Sequence, residues 1–165
     1  MIKTKVGTLL FDADALIDYI DSNKNIISVA TKTLYEIYVP LTIIKEEIRQ
    51  LSEDEAKNIG IKLFEPTFNQ LIEAIKERRG FSFQDRLCLI IAKENNWTCI
   101  TNDKNLRNKC SGEGVEIMWG LQLMLELYAE KYICKEEAID TVWKIHKSNS
   151  RITKDIVEDF IRKLH

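Results

Sequence analysis

The sequence predicts an α/β fold: a doubly wound parallel sheet of about five strands, followed by a helical C-terminal extension. Three observations predict it. Short apolar runs without polar alternation, such as Leu9–Phe11 and Cys99–Ile100, suit strands covered on both faces. These runs alternate with segments of helical period, the pattern of parallel strands joined by crossover helices. Both runs then lead into acids, Asp12 and Asp103, and open α/β sheets take their ligands at the carboxyl ends of strands.

The first strand, Thr8 to Phe11, runs into Asp12-Ala13-Asp14 and a helix with Leu16, Ile17 and Ile20 on its inner face. Asn23-Lys24-Asn25 breaks that helix, and a second, over 26–34, turns Ile27, Ala30 and Leu34 inward. Glu36 to Pro40, β-branched and aromatic and closed by proline, is the second strand. Thr42 reads as the cap of a helix carrying Ile43, Ile44, Ile48 and Leu51, and Ser52 with Glu55 forms a capping box for a short one after it. Gly60 ends that helix, and Ile61 to Glu65 is the third strand. Pro66 suits the first turn of a helix whose stripe is Phe68, Leu71, Ile72 and Ile75. Ser82 caps the next helix, which runs through Leu87, Leu89, Ile90, Ile91 and Ala92 to the fourth strand, Trp97 to Thr101. A short helix with Leu106 and Cys110, a loop at Gly112 and Gly114, and a fifth strand, Val115 to Met118, complete the sheet.

Everything after Trp119 reads as helix: about 121–131, about 135–147, and a last one opened by Thr153. The chain is thus expected to divide into an α/β unit, 1–120, and a helical extension, 121–165, packed on the same domain. Trp97, Trp119 and Trp143 lie among apolar residues and are expected in the core.

Composition narrows the chemistry. A 45% hydrophobic share is enough for one core, and no apolar run approaches the ~18–20 residues of a membrane span. The N-terminus lacks the apolar stretch of a signal peptide, so a cytoplasmic protein is expected. The four cysteines show neither a C-x-x-C nor any close pair, against a disulfide scaffold or a structural zinc site. With only His146 and His165 available, imidazole chemistry is poorly supplied and carboxylate is the abundant reagent. A net charge of −2 argues against a broad basic coat for nucleic acid, while leaving room for a local basic patch.

If the first and fourth strands are parallel, Asp12 and Asp103 emerge at one edge of the sheet. Asp85 joins them, because the helix leading into the fourth strand starts at that edge; of Glu46 and Glu47, one must face inward. Each acid alone has a simpler explanation. Asp12 and Asp103 could be N-caps, Asp85 could balance a helix dipole, and the adjacent glutamates could be solvated. Together they would repel one another unless neutralised, and hard divalent cations, Mg²⁺ or Mn²⁺, are the natural partners of such oxygens. Such an ion activates water and stabilises charge on a phosphoryl group, and no glycine-rich phosphate loop points to a nucleoside triphosphate instead. Lys104, Arg107 and Lys109, with Arg78 and Arg79, are the candidate phosphate contacts, unless they are simply a solvated face.

The series Leu9-Leu10-Phe11-Asp12-Ala13-Asp14, Val39-Pro40 with Glu46-Glu47-Ile48, Ser82-Phe83-Gln84-Asp85, and Ile100-Thr101-Asn102-Asp103-Lys104 resembles the PIN-domain family, which includes VapC-type toxin nucleases. The likeness spans about residues 6–120, with the motifs in the family's order. Trp119 to Leu125 and Ile133 to Glu137 are loosely similar to the tails of stand-alone PIN proteins. The resemblance implies a three-layer α/β/α fold and a metal-dependent endoribonuclease, with the toxin of a toxin–antitoxin pair as one such role. It implies Asp12, Glu47, Asp85 and Asp103 as catalytic and metal-holding acids. Glu46 is the alternate, since the count from Pro40 favours it and Ile48 with Leu51 favours Glu47. Asp14 stands where the family usually has Ser or Asn, a charged departure; Thr101 and Asn102 support Asp103. Implied partners are an RNA substrate, an antitoxin protein and a second copy. A non-catalytic regulatory or binding module of the same fold is the alternative.

Overall fold

The computed structural model describes residues 4–76 and 80–164. Five strands form one sheet, β1 (Gly7–Phe11), β2 (Tyr35–Pro40), β3 (Lys62–Phe64), β4 (Thr98–Ile100) and β5 (Ile117–Met118). All pair in parallel, in the order β3-β2-β1-β4-β5, with helices on both faces: a three-layer α/β/α fold. The central strand is fully apolar where it is covered, with Leu9, Leu10 and Phe11 at most 1% exposed. The chain winds outward from β1 to β3, returns, and winds the other way through β4 and β5. The carboxyl ends of β1 and β4 therefore flank the switch point, where ligands bind in open sheets.

Ten helices are described: α1 (Ala13–Ser22), α2 (Lys24–Thr33), α3 (Leu41–Glu46), α4 (Glu53–Asn58), α5 (Phe68–Lys76), α6 (Phe83–Asn95), α7 (Lys104–Gly112), α8 (Gln122–Ala129), α9 (Lys135–Ser148) and α10 (Lys154–Arg162). The Ser52–Glu55 capping box is formed in both directions, Ser82 accepts from the Asp85 N–H, and Thr153 caps α10. Gly60 closes α4 at φ +94°; a Cβ there would lie 2.2 Å from the Thr31 hydroxyl, so both the turn and the contact require glycine.

Four local expectations are corrected. Thr42 does not cap α3, whose cap is Pro40; its hydroxyl instead donates to Gln84 Oε1 at 3.0 Å. That helix also stops at Glu46, yet Ile48 and Leu51 beyond it are still buried, because burial in an irregular segment needs only the right spacing. Thr67 and Gln70, bonded reciprocally, cap α5 in place of Pro66. Half of the stripe of α5 is outside: Phe68 is 75% and Ile75 54% exposed, while Leu71 packs on the core and Gln70 and Ala74 are buried. Gln70 can be buried because its amide donates to Glu94 at 2.7 Å.

The C-terminal helices pack on the same sheet layers, α9 against α1 and α8 against α2. Trp97 is half-buried, stacked on Tyr38 at 4.4 Å, and Trp143 packs against the core. Trp119 departs from expectation, being 42% exposed. No described helix is long and apolar enough to cross a membrane.

Candidate functional site

Asp12 follows β1 directly, its backbone N–H still bonded to the Ile100 carbonyl of β4. Its Oδ1 accepts from the Ala15 N–H at 2.9 Å, so it does cap α1. Its other oxygen accepts from the Thr101 hydroxyl, which also receives the Asp103 N–H at 3.0 Å. Thr101 is therefore a buried clasp between the ends of β1 and β4. Asp103 caps α7 in turn, accepting from Asn105 and Leu106. The simple capping explanations hold for both acids, but capping uses only Oδ1 of each; the Asp12 Oδ2 also takes the Thr101 hydroxyl, and both carboxylates turn one face to the same space.

That face is a small cavity of about 210 Å³ lined by Asp12, Asp14, Glu47, Asp85 and Asp103, with Ser82, Gln84 and Cys88 completing its wall. Sequence reasoning names all five acids. Glu47, at the end of α3, lines the cavity, whereas the Glu46 carboxylate accepts from the Gln84 amide at 2.9 Å. Asn102 lies elsewhere: its amide donates to Asp18 at 2.9 Å and its Oδ1 accepts from the Gly120 N–H. Lys104 and Arg107 line an adjoining cavity. Arg79, with Arg78, lies outside the described residues.

The electrostatics follow from crowding. Burial pushes Asp12 up to about 7, and the charges of Asp14 and Asp85 add to this against the two hydrogen bonds. Glu47 is raised by burial and then by Asp85 and Asp14; Asp85 is raised by burial and by Asp103. Among the described residues, one cation answers them in the cavity wall, and no local sequence pattern marks it. Arg151, from the turn between α9 and α10, pairs with Asp14 at 3.0 Å and approaches Asp103 at 3.7 Å. Its aim is set from below: Asn149 accepts the Arg151 N–H at 3.0 Å while its own amide is held by Asp18. Asp18 was also missed, since a polar residue within a helix pattern reads as solvent-facing.

Five carboxylates in one lining suit a hard divalent cation by donor chemistry. Among the described residues, no three His, Cys, Asp or Glu side chains stand close enough to hold an ion as they are placed, so the compact cluster expected from sequence is not formed. Mg²⁺ typically keeps several waters and takes only one or two carboxylates, a mode this lining can supply. A larger groove of about 870 Å³, between α8 and α10, contains none of the five acids.

Comparison with known proteins agrees with the fold. No curated protein matches the chain. Among solved structures, it is similar to a PilT N-terminus domain protein from the hyperthermophilic archaeon Sulfolobus solfataricus P2, with a TM-score of 0.51 and 17% identity over 72% of this chain and 92% of that one. The model of the DUF3368 family, described as a PIN domain, matches residues 8–165, the helical extension included. By that match, the chain belongs to the PIN-domain family.

Proposed function

We propose that the chain is a metal-dependent ribonuclease, with Asp12, Glu47, Asp85 and Asp103 as its working acids. The family is generally one of nucleases. The observation that carries the reading is the convergence of five carboxylates on one small polar cavity at the switch point of the sheet. Asp12 and Asp103 would hold a divalent ion with the oxygens not used for capping, and Glu47 and Asp85 would hold its waters. When bound, Mg²⁺ or Mn²⁺ would supply Lewis-acid activation of water and neutralise charge at the phosphoryl group. Thr101 fixes Asp12 through its hydroxyl, and Arg151 gives an incoming phosphate a cation at the rim. Asp85 and Glu47, both raised by burial and by neighbouring carboxylates, are suited to accept a proton from water.

The spacing of the carboxylates favours a second reading, a nucleic-acid-binding module that does not cleave. Cleavage of a mixed single-stranded RNA separates the two. Under the first reading, Mn²⁺ supports cleavage, EDTA stops it, and Asp12→Asn lowers the rate on the order of 10²–10³-fold, the scale of removing one charge-stabilising group. RNA binding without cleavage, unaffected by Mn²⁺, would leave the binding module.

A further inference from the structure

The acidic cavity adjoins a second one, of about 360 Å³, walled by Asn102, Asp103, Lys104, Arg107, Trp119 and Arg151. The two share Asp103 and Arg151. Its size falls within the ~300–1,000 Å³ range of small-molecule sites. Its character is opposite to its neighbour's, with three cations to one carboxylate. Among the described residues, no acid stands within ion-pair distance of Lys104 or Arg107, whereas Arg151 is held by Asp14 and Asp103.

The Arg107 guanidinium lies over the Trp119 ring, 3.5 Å from its centre, and its Nε is buried without a hydrogen-bond partner. One face of this planar cation is thus covered by indole, and the side chain also lines the cavity. The platform is held firmly. The Gly120 N–H donates to Asn102 at 3.0 Å, the Gly120 carbonyl accepts from the Tyr19 hydroxyl, and a Cβ at Gly120 would lie 2.8 Å from the Asn102 amide. Backbone bonds on both sides of Gly120 therefore anchor the half-exposed Trp119. Unstacked bases are commonly held on arginine planes and aromatic faces, with cations tracking the backbone.

We propose that this cavity is a nucleotide subsite for single-stranded RNA, taking the unit next to the phosphate held at the carboxylates. Arg107, backed by Trp119, stacks the base, and Lys104 holds the adjoining phosphate. The subsite deepens the nuclease reading and rests on it for the position of that phosphate.

The test is binding of a labelled single-stranded RNA pentamer to the Asp12→Asn chain in Mg²⁺, by fluorescence anisotropy. The same pentamer is measured with one abasic unit at each position in turn. In the parent, one position should carry a penalty of about tenfold, the scale of one stacked base. Arg107→Ala and Trp119→Ala should weaken the intact pentamer and erase that penalty. Arg107→Lys, which keeps the charge and loses the plane, should erase it too. Lys104→Gln should weaken every pentamer alike, keep the penalty, and reduce the salt slope by about one. A penalty unchanged in Arg107→Lys, a penalty at no position, or no binding would each overturn the subsite. Cleavage by the native chain is scored separately. Cleavage combined with a penalty indifferent to Arg107 overturns the subsite alone; a penalty that depends on Arg107 without any cleavage overturns the nuclease reading and keeps a base-stacking site.

Discussion

Asp12 and Asp18 stand on either side of the first two turns of α1, and both are buried acids. Burial is the leading cause in each case, pushing Asp12 up to about 7 and Asp18 to about 6. Their surroundings differ. Asp18 is closed in by amide donors: Asn102 at 2.9 Å and Asn149 at 3.0 Å to each oxygen. Asp12 has one backbone and one hydroxyl donor and otherwise faces a cavity of other acids. A buried carboxylate held by neutral donors from two other segments is a fastener. One facing like charges across open space is a site waiting for a cation. Burial alone distinguishes neither; the neighbours do.

The largest stability effect is expected where the acid is a fastener. Asp18→Ala leaves the Asn102 and Asn149 amides without their buried acceptor, at about 1–3 kcal/mol for each unsatisfied group. A loss of roughly 2–4 kcal/mol should appear as a lower urea midpoint with an unchanged slope. A loss under about 0.5 kcal/mol, the usual scale of a surface change, would mean that the contrast between the two acids is false.

Asp12→Asn should have the opposite sign in metal-free solution. Its folded value, about 7, lies above the ordinary 3.8, so its favourable contribution is complete below about pH 3.8 and is lost as pH rises through 7. The variant escapes that loss, and its amide oxygen can still accept from Ala15. At pH 8 without metal it should be more stable than the native chain by up to roughly 4 kcal/mol, with the difference vanishing near pH 4. Mn²⁺ should raise the native midpoint and leave that of the variant nearly unchanged. Thermal melts across pH 4–8, with and without Mn²⁺, check both signs. A native chain more stable than the variant at pH 8 without metal would break the account of Asp12.

How far these residues were legible depends on whether a local pattern carries them. The sheet was readable because its central strands, β1 and β4, carry apolar residues covered on both faces and alternate with segments of helical period. Asp12, Asp85 and Asp103 were readable because strand ends and helix starts fall at fixed places in a parallel sheet, whereas Glu47, at the end of α3, was legible only as one of an adjacent pair. Side chains whose role comes from a distant partner left no such mark. Asp18 is polar within an amphipathic helix, and only the Asn102 and Asn149 amides make its burial tolerable. Trp119 follows an apolar strand, and its exposure depends on Arg107 stacking over it from α7. Phe68 and Ile75 have core-like spacing, yet Gln70 and Ala74 face α6 because Glu94 there accepts the Gln70 amide. Arg151 lies 48 positions beyond Asp103 in a turn with no motif, and only the fold of the helical extension brings it to the acids.

Arg151 also joins the two aspartates being compared. Asp18 holds the Asn149 amide, Asn149 accepts the Arg151 N–H, and the guanidinium reaches Asp14 and Asp103 beside Asp12. The closed acid thus helps to aim a cation at the open cluster. Because Arg151 is about half exposed, Arg151→Ala should change stability by less than about 0.5 kcal/mol. Its effect should lie in the charge of the mouth. Without the guanidinium, Asp14 and Asp103 are less neutralised, so Mn²⁺ should bind a few-fold more tightly, while RNA, having lost a cation, should bind a few-fold more weakly. Calorimetric Mn²⁺ titration and RNA anisotropy at two salt concentrations read the two effects separately. A shift of both in the same direction would mean that Arg151 shapes the cavity rather than its charge.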